Sequence, residues 1–337
     1  MSADITPLLQ VRGLRTEFAL KRKGFEPKRT VTAVADVSFD LFEGRTLGLV
    51  GESGSGKSTL ARSIIGLNRP AAGSIVFDGM ELVGADAKTR RRAGRDIQMV
   101  FQDPMSSLNP RLTAEQAITE AWRLRPGVVD RKDWSRRAKD LLDRVGLNPD
   151  HATRLPHQFS GGQRQRIGVA RALALNPRII ICDEAVSALD VSIQAQILNL
   201  LLDLQKEFSL TYLFIAHDLS VVRHVSDDVM VMYLGSTMEL GEARTVFDEP
   251  GHPYTKALQS AVPSPRPWNE AARERIVLGG DLPSPVSPPS GCPFRTRCWK
   301  AQDVCAEITP DLRTPDDSGR LVACHFPEVS PPVGAPA

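Results

Sequence analysis

Short buried strands alternating with amphipathic helices predict an α/β domain built on a largely parallel sheet. Three observations carry that expectation. The apolar runs at 46–51 (TLGLVG), 178–182 (RIIIC), 212–216 (YLFIA) and 229–234 (VMVMYL) are continuous rather than alternating, which suits strands covered on both faces. Stretches of helical period lie between them, such as 193–208, where Ile197, Leu198, Leu201 and Leu204 recur at helical spacing. Two of the runs end in a glycine-rich loop and in paired carboxylates, and ligands of parallel sheets bind beyond the strands' C-terminal ends.

The chain divides by composition. Residues 1–7 read as a short tail. Residues 8–250 carry the strand and helix alternation, interrupted by a helical insertion at about 103–170 where the strand signal fades. From 251 to 328 the sequence turns irregular: 263–289 is rich in proline and serine, and four of the five cysteines follow. Residues 329–337 read as a disordered tail.

The 337 residues are 24% charged and 42% hydrophobic, ordinary usage for a globular protein. A net charge of +2 gives no electrostatic case for a nucleic-acid partner. No apolar run approaches the roughly 20 residues that span a bilayer, and the first residues lack a secretory pattern. The expectation is a chain kept in the cytosol, reaching a membrane only through a partner.

The strand at 46–51 runs into Gly51-Glu52-Ser53-Gly54-Ser55-Gly56-Lys57-Ser58, with Thr59 next. This fills G-x-x-x-x-G-K-[ST], between a strand and a helix as the motif requires. Glycines let backbone N–H groups turn around phosphate oxygens. The following helix adds its N-terminal partial charge, Lys57 a full charge on the β- and γ-phosphates, and Ser58 a hydroxyl for Mg2+. The strand at 178–182 ends in Asp183 and Glu184. Asp183 stands where it holds Mg2+ through water, and Glu184 where it activates the attacking water. On its own, such a pair also suits the cap of a following helix.

Ser160-Gly161-Gly162-Gln163 is the element that narrows the choice. With it the chain resembles the ABC-transporter ATPases, whose signature is L-S-G-G-Q; Phe159 stands in place of the leucine. The resemblance implies a P-loop NTPase with a RecA-like core, an N-terminal antiparallel β part and a helical insertion. It extends to Gln102, matching the glutamine loop that reaches Mg2+, to Ser187-Ala188-Leu189-Asp190, which crosses a dimer interface, and to His217, the switch histidine on the γ-phosphate. It further implies two cassettes facing head to tail, so that Ser160, Gly161, Gly162 and Gln163 serve the partner's ATP. Ala185 departs from the family, which usually has proline there. For the base-stacking aromatic, Phe18 and Phe25 both qualify, because the 21–29 segment blurs the spacing.

The stretch QDPMSSLNPR at 102–111, His252-Pro253-Tyr254 and Gly291-Cys292-Pro293-Phe294 resemble the ATPases of oligopeptide and dipeptide importers, most like the second (F-type) of the pair such systems carry. That implies a related ATPase subunit as heterodimer partner, two transmembrane permeases, an extracytoplasmic substrate-binding protein, and a peripheral place on the cytoplasmic face of the inner membrane. Relatives with this extension also move nickel complexes, glutathione or sugars. A non-transport ABC ATPase is the contrasting class, and the absence of sustained heptads argues against it.

Cys292, Cys298, Cys305 and Cys324 are spaced C-x5-C-x6-C-x18-C. Four thiols in a proline-rich segment with few apolar residues suggest a metal staple. Spacing alone leaves zinc open, while the resemblance implies a structural [4Fe–4S] cluster.

Overall fold

The computed structural model describes residues 6–20, 30–103, 107–187, 189–262 and 275–328. Phe25 with the rest of 21–29, Ala188, residues 1–5 of the expected 1–7 tail, and the expected tail at 329–337 lie outside the described residues. The described strands, in chain order, are β1 (Leu9–Ala19), β2 (Thr30–Leu41), β3 (Thr46–Val50), β4 (Ala72–Phe77), β5 (Met80–Glu81), β6 (Ile97–Val100), β7 (Ile179–Asp183), β8 (Thr211–Ile215), β9 (Asp228–Tyr233), β10 (Ser236–Glu242) and β11 (Leu321–Val322). The four strands expected from apolar runs all form, within one residue of the expected bounds. The chain separates into two compact units.

The first unit comprises 41–46, 76–216 and the described part of 1–9. Here β6, β7 and β8 pair in parallel, with Val100 beside Cys182 and Asp183 beside Ile215. Every residue of β7 and β8 is buried, which explains the unbroken apolar runs. Each fully buried isoleucine of β7 contributes roughly 1.5–3 kcal/mol relative to exposure. The unit also holds helices Ala87–Asp96, Ala114–Leu124, Trp134–Arg144, Gly161–Leu173 and Val191–Phe208. Thr113 and Gln116 form a reciprocal capping box that starts Ala114–Leu124. Trp122 pins that helix: it is fully buried, its indole N–H donates to the Ala174 carbonyl at 2.6 Å, and its ring lies 6.1 Å from Trp134. Residues 114–124, 134–144 and 161–173 are thus helical, and the first and third of these helices start at reciprocal capping boxes.

The second unit comprises 47–75 and the described parts of 10–40 and 217–337. One of its sheets has β1 between β2 and β4. The other runs β11-β10-β9-β3, with β3 parallel to β9 and the remaining pairs antiparallel. Residues 275–289 hold no helix or strand, as the prolines suggest. The later part is more ordered than its composition implies. It supplies β11, which pairs with β10 at Glu239–Val322 and Leu240–Leu321, and a short helix Val304–Glu307.

The expectation of a [4Fe–4S] cluster is corrected here. Among the described residues, no group of three or more His, Cys, Asp or Glu side chains could hold a metal ion. Cys292, Cys298, Cys305 and Cys324 are free thiols. Burial, reinforced by the neighbouring thiols, pushes Cys292 up to about 11 and so favours its protonated form. The staple that the sequence appeared to need is aromatic. Phe294, fully buried, packs against Tyr233, Tyr254 and His252 with ring centroids 5.2–5.7 Å apart. Cys292 N–H donates to the Cys305 carbonyl at 2.8 Å, closing the segment through its backbone.

His252 starts the helix Pro253–Ser260, its Nδ1 accepting from Tyr254 N–H at 3.0 Å. That bond needs a neutral ring. Burial lowers the pKa from 6.5 to about 3. The unfolded chain therefore binds the extra proton first, so this contribution to stability is complete above about pH 6.5 and is lost as pH falls toward 3. Melting temperature followed over that range should fall for the wild type more steeply than for His252→Asn; equal slopes would contradict the burial argument. Among the described residues, no helix is long and apolar enough to cross a membrane.

Candidate nucleotide-binding site

The glycine loop lies in the second unit, and its glycines are dictated by close backbone approach. Gly51 has φ 150°, and a Cβ there would stand 2.1 Å from the Met232 carbonyl oxygen. Gly56 has φ 99°, and its Cβ would meet the Ala33 carbonyl oxygen at 2.1 Å. No side chain fits either place. Gly54 instead turns with φ 82°, where a Cβ would meet only Leu282 Cδ2, at an ordinary 3.8 Å, beside exposed Ser53. Ser55 is buried, and its carbonyl accepts from Gly235 N–H at 2.9 Å.

Lys57 begins the helix Lys57–Ile64, in which Ser58 and Thr59 also belong to the first turn. No side chain caps this helix, and its positive N-terminal end meets the glycine loop. The Lys57 ammonium is buried and folds back on the loop, donating to the Gly51 carbonyl at 2.7 Å, the Glu52 carbonyl at 2.9 Å and Ser55 Oγ at 3.3 Å. The loop thus holds a buried cation at its centre, the arrangement an anion needs.

In the first unit the parallel register brings two expected residues together. Val100 lies beside Cys182, so the residues that follow the two strands emerge on the same edge. Gln102 Nε2 donates to Glu184 Oε2 at 2.7 Å. Asp183 closes β7 and is 1% exposed. Glu184 has φ 48°, a left-handed conformation that costs a non-glycine residue about 1 kcal/mol or more. It is held there by its N–H donating to the Ile215 carbonyl at 3.0 Å and by Ser187, whose N–H and hydroxyl both donate to the Glu184 carbonyl. Ala185 follows, buried.

Ser160 is the N-cap of the helix Gly161–Leu173. Its Oγ accepts from Gln163 N–H at 3.3 Å, and Gln163 Oε1 accepts from Ser160 N–H at 3.0 Å. Gly162 permits close packing, since a Cβ there would lie 2.5 Å from Ile193 Cγ2. Ser160 and Gly161 are exposed. His217, in the second unit, follows β8 and is exposed; its neighbour Asp218 caps the helix Leu219–Val225. Phe18 is 41% exposed.

Two residues at the loop were not expected from sequence. Tyr254 and Arg297 both bond to Glu52. Tyr254 was visible as part of the HPY stretch, but nothing in that stretch signals a contact some 200 positions away; Arg297 carries no local signal at all.

Comparison with known proteins agrees with this geometry. Residues 34–187 match the family model "ABC transporter", and residues 238–305 match "Oligopeptide/dipeptide transporter, C-terminal region". The oligopeptide transport ATP-binding protein AppF of Bacillus subtilis (strain 168) is 51% identical over 327 residues, covering 96% of this chain and 99% of AppF. The oligopeptide transport ATP-binding protein OppF of Salmonella typhimurium is 52% identical over 308 residues, covering 90% of this chain and 92% of that one. Among solved structures, the dimeric post-hydrolysis ATP-binding cassette MJ0796 bound to ADP and Pi superposes with a TM-score of 0.61 at 29% identity, covering 70% of this chain and 99% of it. The buried lysine within its glycine loop, the strand-end carboxylates, the capped SGGQ helix and these similarities have one reading: the chain is a P-loop ATPase that belongs to the ABC-transporter ATP-binding subunits, in the group bearing the oligopeptide/dipeptide transporter C-terminal region.

Proposed function

We propose that this chain hydrolyses ATP to power import of di- or oligopeptides through an ABC transporter. The observation that supports it most is Lys57, a buried ammonium held by the carbonyls of the very loop that would wrap the phosphates. On nucleotide arrival Lys57 exchanges Gly51 and Glu52 carbonyls for β- and γ-phosphate oxygens, while residues 51–59 supply backbone N–H groups. Glu184 orients and deprotonates the attacking water, its carboxylate steadied by Gln102. His217 contacts the γ-phosphate. Ser58, Gln102 and Asp183 offer oxygen donors of the kind Mg2+ prefers, Asp183 through water; Mg2+ when bound neutralises phosphate charge. Ser160, Gly161, Gly162 and Gln163 serve ATP held by the partner.

In this reading residues 8–250 form the ATPase domain, with its helical insertion at about 103–170, and 251–328 the importer-type extension. The working assembly pairs this chain with a related ATPase, two permeases and an extracytoplasmic binding protein. The chain sits peripherally on the cytoplasmic face of the membrane, docked by its helical insertion. Purification through a tag on this chain tests the assembly. Recovery of a second ATP-binding protein with two permeases is expected from co-expressed membranes, and no adhesion to pure lipid vesicles when the chain is expressed alone. Recovery of nucleic acid or ribosomes in their place would contradict the transport reading.

A further inference from the structure

Glu52, the second residue of the glycine loop, is held from the far end of the chain. Its N–H donates to Tyr254 Oη at 2.9 Å, and its carbonyl accepts from Lys57 Nζ. Its carboxylate takes a two-pronged pair from Arg297, with Nη1 to Oε2 at 2.6 Å and Nη2 to Oε1 at 3.1 Å. Arg297 lies between Cys292 and Cys298 in the extension and its side chain is only 9% exposed. The guanidinium rests 6.0 Å over the Tyr233 ring, which packs on Tyr254 and Phe294. Such a pair, well shielded from solvent and bidentate, is geometrically specific and stronger than a surface ion pair.

A carboxylate in a loop built for anions is unfavourable unless it is neutralised, because it repels the phosphates that the loop is to hold. We infer that Arg297 is a positioning residue of the nucleotide site: it cancels the charge of Glu52 and fixes that residue, so that the cysteine-bearing extension is a working part of ATP binding. The inference rests on the glycine loop being the phosphate site.

The test measures MgATP affinity and melting temperature of the full-length chain. Arg297→Gln should weaken ATP binding about tenfold, with a melting temperature within a few degrees of wild type. Adding Glu52→Gln to it should bring affinity back to within about threefold of wild type, because the uncompensated charge is gone. A purely structural role for Arg297 gives no such rescue. Wild-type affinity in Arg297→Gln, or a double variant no better than the single one, would overturn the inference. Should Arg297→Gln not fold, Arg297→Lys carries the test: it keeps the charge but loses the two-pronged grip, so ATP affinity should fall about threefold, and a folded Arg297→Lys with wild-type affinity, or with the full tenfold loss, would overturn the inference. Lys57→Ala separates this from the site reading. If Lys57→Ala leaves ATP affinity unchanged, the phosphate site is misassigned; if it abolishes binding while Arg297→Gln has no effect, only the role of Arg297 fails.

Discussion

Glu184→Gln is expected to lower steady-state ATP turnover of the assembled complex by about 10²- to 10⁴-fold, the usual worth of a general base, while ATP binding persists. Glutamine has the shape of glutamate, so the left-handed backbone, the bond to the Ile215 carbonyl and the two bonds from Ser187 all survive. Gln102 can still donate to the amide oxygen at this position, as it does to the carboxylate. What disappears is the ability to accept a proton. The strain at Glu184 supports the same view: a non-glycine residue is kept at φ 48° by three hydrogen bonds to its backbone, which fits a side chain that must point in one direction. The measurement is phosphate release with the partner's corresponding glutamate also replaced, so that only this chain's site is read. Near-normal turnover would remove Glu184 from the role.

Ser160→Arg is expected to reduce turnover of the complex by about a hundredfold, the scale lost when groups that stabilise developing charge are removed. ATP affinity of the isolated chain should stay as it was. The hydroxyl of Ser160 now accepts from Gln163 N–H, and Gln163 returns the bond to the Ser160 backbone. Arginine breaks this reciprocal cap, at a cost of about 1 kcal/mol to the helix, and fills the space in front of exposed Gly161. Ser160→Thr keeps a capping hydroxyl and should keep most of the activity. Binding of a fluorescent ATP analogue to the isolated chain, followed by phosphate release in the complex, separates the two effects. Weaker ATP binding by the isolated Ser160→Arg chain would mean that SGGQ serves its own nucleotide.

Much of the fold was legible because burial on both faces of a parallel strand leaves an unbroken apolar run, as in 179–182 and 212–215. The glycine loop was legible because its backbone geometry admits glycine alone at Gly51 and Gly56. The contact of Gln102 with Glu184 follows from strand register, which a sequence does not display; two residues 82 positions apart meet because Val100 and Cys182 are paired. The extension misled for a physical reason. Its composition is poor in apolar residues when read by itself, which made four cysteines look like the only available staple. Its anchor Phe294 packs on Tyr233 and Tyr254, whose sequence positions gave no hint of one shared cluster. Arg297 was overlooked because an ion pair across 245 positions leaves no local pattern.

Whether ATP hydrolysis by this chain drives peptide import is read out by reconstitution. The complex purified through this chain is placed in liposomes with its binding protein, and phosphate release and uptake of a labelled peptide are recorded together. Peptide should enter only with ATP, peptide with binding protein should raise phosphate release, and Glu184→Gln, paired with the partner's equivalent change, should abolish both. ATP hydrolysis that proceeds normally while no peptide enters, or peptide entry that persists when both glutamates are replaced, would contradict peptide import driven by this chain.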